Sequence, residues 1–221
     1  QKNNKKQVDQ KTQKFTSEIT QNDLNYFIDF DSIKKKLTRI GKAGVYKAEW
    51  LGMQVAVKKL KIKNNNVNNN NNDELLRLIN EINILASMRH PNIILYMGAS
   101  VDNDDFYMIT EYAQGDSLFK FLHDPKKKLN DIQKIHISFQ IATAIHYIHF
   151  RNIVHKDLKP DNILLDENYK IKLAHFGFSS NINNTQKAIT TDSYAYMAPY
   201  MLFGKPYKKS ADIFSYGMIL W

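Results

Sequence analysis

Short alternating runs crowd the first half of the chain and three-to-four-residue repeats dominate the second, and that order limits the folds open to it. Leu37-Thr38-Arg39-Ile40, Val45-Tyr46-Lys47-Ala48-Glu49-Trp50 and Gln54-Val55-Ala56-Val57-Lys58 read as three strands punctuated by Gly41, Gly44 and Gly52. Two further strand-like runs occupy residues 93–99 and 106–112. Between the two sets, Leu75, Ile79, Ile82 and Leu85 repeat at helical spacing, which predicts a helix capped by Asp73 and running to about Met88. Further on, residues 117–122 predict a short helix. Ile132, Ile135, Phe139, Ala142, Ile145 and Ile148 form one apolar face on a long helix over 131–149. Residues 163–165 and 170–173 add brief β runs. A β-rich first part followed by a mostly helical second part predicts an α+β fold in two lobes.

Composition marks the segments outside that pattern. Residues 1–30 are rich in Gln, Asn and Lys without periodicity, which predicts a disordered polar leader. Residues 64–72 are all Asn except Val67, a tract with no apolar anchor that reads as a loop insertion. The expected organisation is a leader over 1–30, an N-terminal lobe over 31–113 carrying the insertion, and a C-terminal lobe over 114–221. The chain begins without Met and stops at Trp221 inside an apolar helical run, so the second lobe is expected to be incomplete and the chain a fragment. No apolar run reaches the roughly 18 residues of a membrane helix. With no cysteine, disulfides and thiolate metal sites are excluded, and a reducing, cytoplasmic setting is expected. The net charge of +9 sits in short lysine clusters without interleaved aromatics, a pattern of solvated surface that argues against nucleic acid as a partner.

The densest chemistry lies in His155-Lys156-Asp157-Leu158-Lys159-Pro160-Asp161-Asn162. This octapeptide resembles the catalytic loop of protein kinases, with Lys156 where that family has Arg. Other landmarks follow the family order: Val55-Ala56-Val57-Lys58, Glu81 on the next helix, His90-Pro91-Asn92-Ile93, Thr110-Glu111-Tyr112-Ala113, Tyr196-Met197-Ala198-Pro199, and Ser210-Ala211-Asp212-Ile213-Phe214-Ser215-Tyr216-Gly217. Met97-Gly98-Ala99 and residues 214–221 resemble the tyrosine kinase-like group of Ser/Thr kinases, and Lys159 fits Ser/Thr specificity.

The resemblance implies a bilobal kinase fold and a role for each residue. Lys58 would hold the α- and β-phosphates of ATP, and Glu81 would position Lys58. Asp157 would accept the substrate hydroxyl proton, Lys159 would steady the γ-phosphate, and Asn162 would offer an amide oxygen to a metal ion. Ile40, Gly41, Val45, Ala56 and Leu164 would flank the nucleotide, though apolar residues at such positions serve equally as core. Thr110 would be the gatekeeper, with backbone groups of Glu111 and Ala113 binding adenine. Ser117 is read as a helix cap. Asp212 would tie down the catalytic-loop backbone.

Three departures weaken the catalytic reading. His175 in Leu173-Ala174-His175-Phe176-Gly177 stands where the family has the Asp that binds Mg²⁺. Mg²⁺ wants oxygen ligands, whereas imidazole suits Zn²⁺ or Cu²⁺. Loss of about 4 kcal/mol of metal stabilisation would slow transfer roughly a thousandfold. Gly41-Lys42-Ala43-Gly44-Val45 is three residues shorter than the family's phosphate-covering loop and reads as a plain hairpin. Tyr200 replaces a Glu, and Asp192 stands where Gly is usual. ATP stays open as a ligand, while Mg²⁺ is in doubt. The leading expectation is a pseudokinase acting through protein partners. The alternatives are an active Ser/Thr kinase acting on protein hydroxyls, a fragment that does not fold alone, and a basic nucleic-acid-binding module. Thr190, Thr191 and Ser193 are candidate modification positions.

Overall fold

A computed structural model describes residues 27–34, 37–40, 44–61, 70–102, 105–182 and 191–221. The leader up to residue 26, Gly41, residues 64–69 of the Asn tract and Thr190 lie outside the described residues. Two compact units emerge: one from the described part of Gln1–Ser87 with Leu95–Tyr112, the other from Met88–Ile94 with Ala113–Trp221.

The first unit is an antiparallel sheet with one helix. Strands β1 (Thr38–Arg39), β2 (Val45–Trp50), β3 (Met53–Lys61), β4 (Tyr96–Asp102) and β5 (Asp105–Glu111) take the order β1-β2-β3-β5-β4. Alternation in β3 decides which side chains reach the core. Val55 and Val57 are fully buried and cluster with Ala48, Tyr107 and Ile109, while Ala56 and Lys58 take the opposite face. Burying side chains of this size contributes about 1.5–3 kcal/mol each. Register pairs Val57 with Ile109 and Ala56 with Thr110, which seats the predicted gatekeeper in β5. Helix α1 (Asn70–Ala86) buries Leu78, Ile79, Ile82 and Leu85. It starts three residues earlier than expected, so Asp73 lies inside the helix. Asn70, Asn71 and Asn72 are helical too, because the apolar stripe that follows carries the last residues of the tract with it.

One sequence expectation fails in this unit. The leader was expected to run to residue 30, yet Ile28 within it is buried with Val55 and Val57, as is Ile33 just beyond it. The Ile28 N–H donates to the Ala99 carbonyl at 2.8 Å, and Phe30 stacks on Tyr107 at 4.2 Å between ring centroids. Three apolar residues within six positions are enough to dock this segment, although its polar neighbours hide them from a composition average. At the other end of the sheet, the Ile40 N–H donates to the Val45 carbonyl at 3.0 Å. Gly44 takes φ +68°, and a Cβ there would press the Lys59 carbonyl at 3.1 Å.

The second unit is mostly helical: α2 (Leu118–Leu122), α3 (Asp131–Phe150), α4 (Pro199–Leu202) and α5 (Lys209–Leu220). Two small sheets join them. One orders β6 (Asp116–Ser117), β8 (Ile163–Leu165) and β9 (Ile171–Leu173) as β6-β8-β9; the other pairs β7 (Ile153–Val154) with β10 (Ser180–Asn181). Asn130 and Gln133 form a capping box that starts α3, each side chain accepting the other's backbone N–H at 2.8 and 2.9 Å. Its buried side carries Ile137, Gln140, Ile141, Ala144, Ile145 and Ile148. Ile132, Ile135 and Phe139, expected on the core face, are instead exposed. Isoleucines and phenylalanines surround α3 on all sides, so periodicity could not choose its face; packing on β7, β9 and α5 does.

Candidate active site

In the second unit, the residues between β7 and β8 form a loop held from beneath by one buried carboxylate. Asp212, in the first turn of α5, is fully buried. Its Oδ2 accepts the His155 N–H at 2.8 Å, and its Oδ1 accepts the Lys156 N–H at 3.1 Å. His149 Nε2 at 2.8 Å and the Tyr207 hydroxyl at 2.9 Å complete its shell. Burial alone would raise its pKa. The hydrogen bond from His149 and the donors and charge around His155 outweigh that and hold it below the ordinary carboxylate range. The Tyr207 hydroxyl is driven the other way, far above its usual value, by burial and by the Asp212 charge.

This clamp lets Lys156 adopt a left-handed φ of +68°. Burial lowers the Lys156 pKa against the opposing pull of Asp212, and its ammonium sits 5.9 Å from the Tyr207 ring centroid. Sequence reasoning assigned Asp212 its anchoring role but missed His149 and Tyr207. His149 is 63 residues from Asp212, so only the folded chain brings that pair together, and Tyr207, five residues away, belongs to no motif of its own.

Asp157 sits on the clamped loop and is 3% exposed. Its carboxylate is framed by the other candidate residues of this unit. Lys159 Nζ lies 3.2 Å from Oδ1, Asn162 Nδ2 donates to Oδ2 at 2.8 Å and to the Asp157 carbonyl at 2.7 Å, and His175 Nε2 lies 3.9 Å from Oδ2. The turn Pro160–Asn162 positions the amide, and the Ala174 N–H donates to the Asn162 carbonyl at 2.9 Å, joining the loop to the residue before His175. His155 is fully buried. Its Nδ1 accepts the Asp157 N–H at 3.4 Å, so its Nε2 donates to the Ala174 carbonyl at 3.1 Å, and its ring meets the edge of buried Phe176 at 4.8 Å. A small open cleft lies against Asp157, lined also by Lys156, Tyr196, Met197 and Tyr207. Leu164 is half-buried in β8.

In the first unit, Lys58 Nζ and Glu81 Oε2 meet at 2.6 Å, linking β3 to α1. Glu81 is almost fully buried and Lys58 keeps about a third of its side chain exposed, so one end of the pair is fixed and the cation remains reachable. Val45 and Ala56 are half-buried and Ile40 is exposed. The Thr110 hydroxyl donates to the Glu111 carbonyl at 3.1 Å, and the Glu111 N–H donates to the Leu95 carbonyl at 2.9 Å. Ala113 falls with the second unit, not the first as expected. Ser117 caps α2, its hydroxyl accepting the Lys120 N–H at 3.3 Å. The Tyr200 hydroxyl is 3.3 Å from the Ser210 hydroxyl, a neutral contact where a charged pair was expected to be missing.

The donors around Asp157 can be tested against Mg²⁺. Asn162 offers an amide oxygen that accepts no hydrogen bond from a described residue, and Asp157 offers one carboxylate. The third group is the imidazole nitrogen of His175. Mg²⁺ binds oxygen in near-ideal octahedral geometry and keeps its remaining positions for water, so the two oxygen donors match it and the imidazole nitrogen is the one donor of the three that does not. Among the described residues, no three His, Cys, Asp or Glu side chains gather as a metal cluster, and no helix is long and apolar enough to cross a membrane.

Residues 34–221 match the protein kinase domain family. A probable serine/threonine-protein kinase of Dictyostelium discoideum is 34% identical over 203 residues, covering 89% of this chain and 22% of its own length. The serine/threonine-protein kinase CTR1 of Arabidopsis thaliana is 35% identical over 198 residues (86% and 23%). The probable serine/threonine-protein kinase drkA of Dictyostelium discoideum is 37% identical over 199 residues (88% and 30%). The chain therefore spans less than a third of each of these relatives.

Proposed function

We propose that this chain, which belongs to the protein kinase domain family, is a pseudokinase of the tyrosine kinase-like group, one in which phosphoryl transfer is impaired and the domain acts as a scaffold or allosteric partner for other proteins. The observation that carries this reading is His175: an imidazole faces Asp157 where the family places a metal-binding carboxylate. A kinase domain implies ATP use, generally with Mg²⁺. Here the Lys58 ammonium, fixed by Glu81, would bind nucleotide phosphate without any metal. The short run between Ile40 and Val45 supports weak phosphate coverage, because fewer backbone N–H groups are available to it. When bound in the family's usual site, Mg²⁺ supplies charge neutralisation on the phosphates; nothing assigned to this chain's residues depends on it. Lys159 and Asn162 orient the Asp157 carboxylate, and the clamp on Asp212 fixes the loop that carries it.

A second reading, an active Ser/Thr kinase that phosphorylates protein hydroxyls, draws support from the intact Lys58–Glu81 pair and from the framing of Asp157 by Lys159 and Asn162. Thermal melting with ATP, with and without Mg²⁺, separates the two. The pseudokinase reading expects a shift indifferent to Mg²⁺ and no protein phosphorylation above that of Asp157→Asn. A Mg²⁺-dependent shift together with phosphorylation abolished by Asp157→Asn would establish the active kinase instead.

A further inference from the structure

The misfit to Mg²⁺ has a constructive side, because the same three groups favour a different class of ion. His175 Nε2 and Asp157 Oδ2 are 3.9 Å apart, within the span of one ion bound to both, since Zn–N and Zn–O bonds are each about 2.0–2.2 Å long. Asp157 is 3% exposed and Asn162 9% exposed, so the carboxylate and the amide are fixed in the second unit before any ion arrives. Lys159, 3.2 Å from the other carboxylate oxygen, orients the carboxylate, as outer-shell partners do in established metal sites. The His175 side chain is 39% exposed, which gives an ion a way in and its ring room to turn. Imidazole favours borderline first-row ions such as Co²⁺, Ni²⁺ and Zn²⁺ over Mg²⁺.

We infer that His175 Nε2, Asp157 Oδ2 and the Asn162 amide oxygen form an open site for a borderline divalent cation such as Co²⁺ or Zn²⁺, with selectivity over Mg²⁺ set by the imidazole. The site provides three protein donors and leaves its other positions to water or to a phosphate oxygen. It extends the metal part of the pseudokinase reading but does not require catalytic silence: a transition-metal ion held here that supported transfer would overturn that reading and leave the site standing.

The test uses the 221-residue chain and Co²⁺, whose visible d–d absorption and calorimetric titration report binding without any activity assay. His175→Ala and Asp157→Asn should each weaken Co²⁺ binding by at least the roughly 10- to 100-fold lost when an outer-shell partner alone is removed. The six histidines other than His175 bind equally in parent and variants, so adventitious loading cancels in the comparison. His175→Asp should keep the fold, checked by its melting curve, and reverse the preference toward Mg²⁺. Retention of parental Co²⁺ affinity in His175→Ala, or unchanged ion preference in His175→Asp, overturns the site. An excess of Mg²⁺ that displaces Co²⁺ from the parent at comparable concentration overturns it as well.

Discussion

Asp212→Asn is the sharpest test of what holds the catalytic loop. The carboxylate accepts from four donors: the N–H groups of His155 and Lys156, His149 Nε2 and the Tyr207 hydroxyl. An amide keeps the volume but has one acceptor oxygen, and its NH₂ would face donors. About two buried donors lose their partners, each at roughly 1–3 kcal/mol. Breaking a buried charged pair on one side costs about 3–5 kcal/mol by comparison. The two routes overlap near 3–5 kcal/mol, which for a chain of this size lowers the melting temperature by roughly 6–20 °C. Calorimetry measures the total, and hydrogen exchange at the His155 and Lys156 amides localises it. Tyr207→Phe removes one neutral donor and should cost only about 1 kcal/mol. If Asp212→Asn stays within about 1 kcal/mol of the parent and the two amides remain protected, the clamp is not what positions Asp157.

Four further outcomes follow from the geometry. Because Asp212 is held below the ordinary carboxylate range, the folded state favours its ionised form; that stability is fully present above about pH 4 and fades as pH falls through the depressed folded value, so urea midpoints at pH 6 and pH 3 should differ more in the parent than in Asp212→Asn. Ile28→Ala removes a side chain that is 4% exposed and should destabilise the first unit by about 2–5 kcal/mol in chemical denaturation, whereas a disordered leader would show no change. Gly115→Ala would place a Cβ within covalent distance of the Leu165 carbonyl oxygen, a backbone atom that cannot swing away, so β6 and β8 must separate at a cost of about 1–3 kcal/mol, readable by thermal melting. His175→Val should destabilise more than His175→Asp, because a β-branched side chain resists the left-handed backbone there, and comparison of the two melting curves checks it.

Much of this arrangement is legible in the sequence wherever the signal is local. β2 has the predicted bounds because Val45 to Trp50 is rich in strand-forming residues and lies between Gly44 and the Leu51-Gly52 turn. Asp157, Lys159 and Asn162 lie within six residues of one another, so a motif names them before any folding is considered. The Lys58–Glu81 pair is also readable, since strand and helix follow each other in order, although only the structure gives the 2.6 Å contact. Ile28 and Ile33 escaped notice because Asp29, Asp31, Ser32 and the lysines after them interrupt the apolar residues, and the Gln- and Asn-rich stretch before them colours the whole segment. The face of α3 was misread for the opposite reason: too many apolar residues leave no polar side to orient it. His149 lacks any sequence signal, because it meets Asp212 only when α3 and α5 pack together, and Tyr207 lacks one because a lone Tyr before a helix says nothing of the carboxylate five residues on.

His175 shows how chemistry can change at a position while the fold tolerates it. The residue sits at φ 67° and ψ 64°, a left-handed conformation that costs an L side chain about 1–2 kcal/mol and that Asn, Asp and His adopt more readily than others. Replacing a carboxylate by an imidazole there changes the donor atom but hardly changes what the backbone must do. The flanks are fastened independently of that side chain. The Ala174 N–H is bound to the Asn162 carbonyl, Phe176 is buried against His155, and the Ser179 hydroxyl donates to the His155 carbonyl at 3.0 Å. The turn is therefore set by its neighbours, and His175 is left to aim an exposed ring at Asp157. A position constrained so strongly in backbone and so little in side-chain packing can exchange one metal preference for another, or lose metal binding entirely, without a stability penalty large enough to unfold the loop that Asp212 holds.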